Sequence, residues 1–150
     1  MATTGIRESV ISGLDTVLKT VTTGNGYQQT ITTVLDYPTH LTDIDFADYP
    51  VVSIYMGGTE MQPLLQDAMN TIMSVGLRCY VTGGEDDDIR ESANKMIEDI
   101  HKAIYDNPTL GQSGIIKAEV VSAEPPFLWQ DVDAAGICDI NVNVLCRRIM

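Results

Sequence analysis

His40 and His101 are the only histidines of the chain, and a Ser-His-Asp or Cys-His arrangement would need one of them beside a nucleophile and oriented by a third group. No motif supplies that set. His40 stands in a polar stretch and His101 flanks an apolar helical stripe, so surface or boundary packing accounts for both. Cys79, Cys138 and Cys146 are odd in number, lack any C-x-x-C spacing, and each falls on the apolar side of an alternating segment. They read as packed thiols in a reducing compartment, not as a disulfide framework, a zinc site or a nucleophile.

Carboxylates are the more abundant chemistry. Asp43, Asp45 and Asp48 begin like a calcium loop, but Ala47 stands at the fifth position, Asp48 replaces the turn glycine and Ile54 falls at the twelfth. Glu85, Asp86, Asp87 and Asp88 have the charge to gather a divalent cation, yet the positive end of a helix dipole and solvation explain four adjacent carboxylates there. Gly24 and Gly26 follow a helix and lack the third glycine of a dinucleotide loop, so they mark a turn. No metal, cofactor or catalytic residue is expected, and the chain does not read as an enzyme.

One apolar group stands apart. Phe127, Leu128 and the single tryptophan, Trp129, follow Pro125-Pro126 in an otherwise exposed-looking segment. Either this segment folds back over a sheet edge, or it anchors a neighbouring subunit, where aromatic residues are enriched.

These residues need a scaffold, and its periodicities are clear. Ile6, Val10, Ile11, Leu14, Val17, Leu18 and Val21 recur at steps of three and four, which predicts a helix near residues 4–20. Residues 27–36, rich in Thr, Ile and Val, predict a strand, and 37–49 an irregular connection. Residues 51–56 predict a strand closed by Gly57-Gly58, and 60–66 a loop or short helical turn. Residues 71–81 alternate, with Met73, Val75, Leu77, Cys79 and Val81 on one side.

A second helical stripe runs through Ile89, Ala93, Met96, Ile97, Ile100 and Ile104 and stops at Asn107-Pro108. Glu91 with Lys95 and Glu98 with Lys102 have the spacing of ion pairs on its opposite face. Residues 115–123 and 135–147 predict two closing strands, the last with Cys138, Ile140, Val142, Val144 and Cys146 on one face. The order α-β-β-β-α-β-β predicts an α+β fold: a mostly antiparallel, mixed sheet of about five strands, two helices on one face and a polar outer face.

Composition sets the outer bounds. The chain has 150 residues, 21 acidic and 9 basic, for a formal charge of −12, which fits a single domain over residues 1–150. Each half carries −6, so phosphate attraction is opposed throughout and sequence-specific nucleic-acid binding is not expected. The first residues lack a basic and apolar leader pattern, and no run of 18 apolar residues occurs, so neither secretion by signal peptide nor a membrane partner is expected.

Two segments carry a resemblance. One is Tyr49-Pro50-Val51-Val52-Ser53-Ile54-Tyr55-Met56-Gly57-Gly58; the other runs from Ile89 through Met96-Ile97-Glu98-Asp99-Ile100-His101-Lys102-Ala103-Ile104 to Asp106-Asn107-Pro108-Thr109-Leu110-Gly111. With the element order and the closing strand, they make the chain resemble the tail terminator and tail-completion proteins of long-tailed bacteriophages.

That resemblance implies a structural virion protein, a minor tail protein at the head-proximal end of the tail, assembled in the host cytoplasm. It implies a ring, commonly a hexamer of the chain with itself, that caps the tail tube and stops its polymerisation. Its partners would be the tail tube protein, the head-tail connector or neck protein and, in a contractile tail, the sheath protein. DNA would only pass through the channel. Asp43, Asp45, Asp48, Glu85, Asp86, Asp87 and Asp88 are then candidates to face that channel and repel phosphate. Phe127, Leu128 and Trp129 are candidates for the subunit interface. Another ring protein of the neck or tail tube, and from a different class a small cytosolic ligand-binding domain, remain the alternatives.

Overall fold

The structure is a computed structural model that describes residues 6–35, 50–65, 68–82, 86–123, 127–128 and 135–149. Helix α1 spans Ile6–Lys19 and helix α2 spans Asp86–Asp106. The strands are β1 (Thr33–Leu35), β2 (Val51–Leu65), β3 (Ala68–Thr82), β4 (Ile115–Ala123), β5 (Phe127–Leu128) and β6 (Ala135–Ile149). They form one sheet in the order β1-β2-β3-β6-β4, with β5 also on β6. All pairings are antiparallel except β1 with β2, so the chain is an α+β fold on a mixed sheet. Among the described residues, no helix is long and apolar enough to cross a membrane.

The apolar stripes explain the layering. Val10, Leu14, Val17, Leu18 and Val21 on the α1 side and Ile89, Ala93, Met96, Ile100, Ala103 and Ile104 on α2 are buried in one cluster. The same cluster holds the alternating residues of β3, from Met73 to Val81, and of β6, from Cys138 to Cys146. At about 1.5 to 3 kcal/mol per fully buried large side chain, this shared interface holds both helices on one face of the sheet.

After α2, Asn107 to Gln112 forms a tight turn in which Leu110 N–H donates to Asn107 O at 2.9 Å and Gln112 N–H to Thr109 O at 2.9 Å. Leu110 adopts a left-handed φ of 52° and Gly111 one of 71°. The strained leucine is buried beside Gly13 of α1, whose missing side chain makes the close approach possible.

Five expectations need correction. The strand expected over 27–36 shrinks to β1, because the preceding backbone finds other partners. Gln28 and Gln29 N–H donate to the Asp99 carboxylate, Ile31 N–H to Val21 O and Thr32 N–H to Pro50 O. The loop or helical turn expected over 60–66 is strand as far as Leu65. Gly57 and Gly58 do not end β2 but stand together against Ser74 as a bulge between the pairs Met56 with Val75 and Thr59 with Met73.

The outer face is not polar throughout. At one end Val51, Ser53, Tyr80 and Ile137 are each 1% exposed, so the sheet is buried there on both sides. Finally, Glu98 and Lys102 turn to the α1–β1 connection instead of each other. Glu98 accepts from Gln28 Nε2 at 2.8 Å, and the Lys102 ammonium lies 5.3 Å from the Tyr27 ring centroid. The Glu91–Lys95 pair forms, at 2.9 Å.

Candidate functional site

Backbone geometry defines the most distinctive surface, an open sheet edge. Ala118 N–H donates to Pro108 O at 2.6 Å, so β4 turns its bonding groups away from β6 at this position. Its partner Val144 therefore bonds towards β3, and the unbroken β3–β6 register repeats that geometry at every second residue. Thr71, Met73, Val75, Leu77 and Cys79 thus bond to β6.

Their partners on β2 must face the other way. Ile54, Met56, Thr59 and Met61 turn N–H and C=O outward, and β1 reaches β2 only from Val51 to Ser53. Among the described residues, the outer edge of β2 beyond Ser53 has no strand partner. Pro63 belongs to the same outward set, where its missing N–H costs β3 nothing.

The opposite edge differs in kind. Pro108 already occupies part of β4, and a groove of about 460 Å³ opens between α2 and β4, lined by His101, Tyr105, Pro108, Lys117, Glu119 and Val120. Lys117 and Glu119 pair within it at 3.3 Å. Tyr105 at 78%, Ile116 at 44% and Val121 at 50% are the exposed large hydrophobic residues of the described chain, and all three lie on α2 or β4. Among the described residues, one side therefore presents a backbone edge with no strand partner beyond Ser53, and the other a backbone edge engaged by Pro108 at Ala118, beside exposed apolar side chains.

The outer sheet face carries a second constellation. Arg78 on β3 and Asp139 on β6 are register partners and form a two-pronged ion pair at 2.8 and 3.0 Å. That hydrogen bonding to Asp139 raises the Arg78 pKa further above its ordinary value. Burial, then the Asp139 charge, raises the pKa of Tyr55; burial is also the main cause of the rise at Tyr80. The Tyr55 ring lies over Gly76, its cross-strand partner, in space that any side chain at 76 would fill. These groups fix β2, β3 and β6 to one another, with the cation already held by its carboxylate.

The residues singled out from sequence are distributed as follows. Asp43, Asp45, Asp48, Glu85, Trp129 and His40 lie outside the described residues. Asp86, Asp87 and Asp88 are the first residues of α2, and the direction of their carboxylates also lies outside what is described. Phe127 and Leu128 form β5, paired with Ile137 and Gly136, so their backbone continues along the β6 edge that β4 occupies further on. His101 is exposed and lines the groove. Among the described residues, no group of three or more His, Cys, Asp or Glu side chains gathers to hold a metal ion.

Sequence reasoning missed two features. Asp99, 3% exposed, sits three residues after Met96 and four before Ala103, on the buried side of α2. That spacing was its signal. The β2 edge had a weaker one, Pro63 inside a long strand. No known family model matches this chain, and no curated protein sequence matches it.

Proposed function

We propose that this chain is a structural virion protein of the tail-terminator type: one subunit of a ring that caps the tail tube, ends its polymerisation and presents a face to the head-tail connector. The observation that carries this reading is the pair of unlike sheet edges. A β2 backbone edge that has no strand partner beyond Ser53 among the described residues, and the exposed Tyr105, Ile116 and Val121 of α2 and β4, are different surfaces on different sides of one domain. Contacts between unlike surfaces are head-to-tail, and they close into rings when the rotation per subunit permits. A charge of −12 suits a channel wall over which DNA slides without adhering. The turn Pro108-Thr109-Leu110-Gly111 and helix α2 supply the segment that resembles the family.

Electron microscopy of the purified protein, alone and with tail tubes, tests the proposal. Rings with a central hole that sit on tube ends support it; a solitary particle that leaves tubes uncapped refutes it. Met61→Pro sharpens the test, because it removes an outward N–H that β3 does not use. The variant should keep the parent Tm to within a few degrees and lose the ring. Rings formed normally by Met61→Pro would remove the β2 edge from the interface.

The α2–β4 groove favours a second reading, a small ligand-binding domain, since its volume of about 460 Å³ falls in the range of small-molecule sites. Thermal shifts on adding metabolites to a monomer or dimer would support that reading over the ring.

A further inference from the structure

Cys79 and Cys138 stand directly opposite each other on β3 and β6, on the helix-facing side, and both are fully buried. The assembly reading uses neither. Every second β3–β6 pair from Met73 onward is hydrogen-bonded, and Cys79 with Cys138 belongs to that set. Antiparallel sheets hold such Cα atoms about 5.5 Å apart. Disulfides span Cα separations of about 4.4 to 6.8 Å, most often about 5.5 to 6 Å. Cys146 pairs with Thr71 and lies about 27 Å further along β6, at about 3.4 Å per residue, so it cannot reach either thiol.

We propose that hydrogen peroxide converts Cys79 and Cys138 into a cross-strand disulfide that ties the two central strands together. One thiolate attacks a peroxide oxygen; an S–O bond forms, the O–O bond breaks and, with the thiol proton, water leaves a sulfenic acid. The second thiol then attacks that sulfur, an S–S bond forms, the S–O bond breaks and a second water leaves. Two thiols lose two electrons in total, and one peroxide gains them.

The interior sets the pace. The adjacent Cys138 thiol, then burial, hold the Cys79 thiol well above its usual range, which keeps the reactive thiolate scarce. The pair therefore stays reduced while the chain folds among cellular thiols and closes slowly under sustained oxidation. A small oxidant is required, because neither sulfur is open to a bulky one.

The test uses the native full-length protein, incubated with hydrogen peroxide until added glutathione is fully oxidised, then denatured, alkylated and mapped by mass spectrometry. The expected product is one peptide pair joined through Cys79 and Cys138, with Cys146 alkylated and a Tm above that of the untreated protein. Dithiothreitol added after denaturation should separate the joined peptides. Cys138→Ser should show neither the cross-link nor the rise in Tm; if this variant does not fold, the wild-type peptide map decides alone. Three alkylated cysteines after treatment, sulfinic or sulfonic acid at 79 or 138, or a disulfide to Cys146 or a second chain would each overturn the proposal.

Discussion

Asp99→Ala removes a carboxylate that is 3% exposed and accepts two backbone donors, Gln28 N–H at 3.1 Å on Oδ1 and Gln29 N–H at 2.8 Å on Oδ2. Hydrogen bonds to a charged acceptor contribute about 1.5 to 3 kcal/mol each, so the gross loss is about 3 to 6 kcal/mol. Two effects offset part of it. Burying a carboxylate is itself costly, and alanine carries no such cost. Gln28 is exposed, so its freed N–H can turn to water. A net loss of about 2 to 4 kcal/mol follows, which for a chain of this length is a fall in Tm of several degrees, at about 2 to 4 °C per kcal/mol.

Asp99→Asn separates charge from shape. The amide keeps one acceptor of similar size but sets an NH2 group against one of the two backbone N–H groups, so its loss should fall between those of wild type and alanine. Guanidinium denaturation at constant m-value measures both variants, and amide hydrogen exchange at Gln28 and Gln29 reports the local release. An Asp99→Ala protein within about 0.5 kcal/mol of wild type, a surface-like effect, would refute the view that this carboxylate clamps the α1–β1 connection to α2. An Asp99→Asn protein as stable as wild type would show that its charge contributes nothing.

Gly13→Ala tests the contact between α1 and the turn after α2. A Cβ there would stand 2.8 Å from Leu110 Cβ and 2.9 Å from Leu110 O, and a backbone carbonyl in a left-handed turn cannot move aside cheaply. Overpacking costs about 1 to 3 kcal/mol against a helix-propensity gain of about 1 kcal/mol, so thermal melts should show a net destabilisation; a higher Tm would contradict it. Tyr55 and Tyr80 predict an alkaline limit. Both have folded pKa values raised above 10.0, by burial first, so their stabilising contribution is complete below pH 10 and is lost as pH rises through the folded values. Denaturation from pH 8 to 11.5 should show stability falling above pH 10 and a shallower fall in Tyr80→Phe; identical slopes would refute the assignment.

Much of the fold was legible because its elements satisfy themselves locally. The stripes of α1 and α2 and the alternation in β3 and β6 need only the period of the element and one apolar face. Residues 27–32 look like a strand in composition, but Gln28 finds its acceptor on Asp99, 71 residues away, and no local pattern announces that. Gly57-Gly58 reads as a stop when taken alone and becomes a bulge only because β3 continues opposite it. The burial of the outer face did leave a trace, since Val51, Tyr80 and Ile137 break the polar alternation at one end of three neighbouring strands. The candidate assembly surface is the least legible feature for a physical reason. An open edge is a property of which strand pairs with which, and side-chain patterns record faces, not edges. Proline is the exception, because it acts on the backbone. Pro63 inside β2 is tolerated only where no ladder bond from its N–H is required, so a single residue type marks the side of the strand that, among the described residues, has no strand partner.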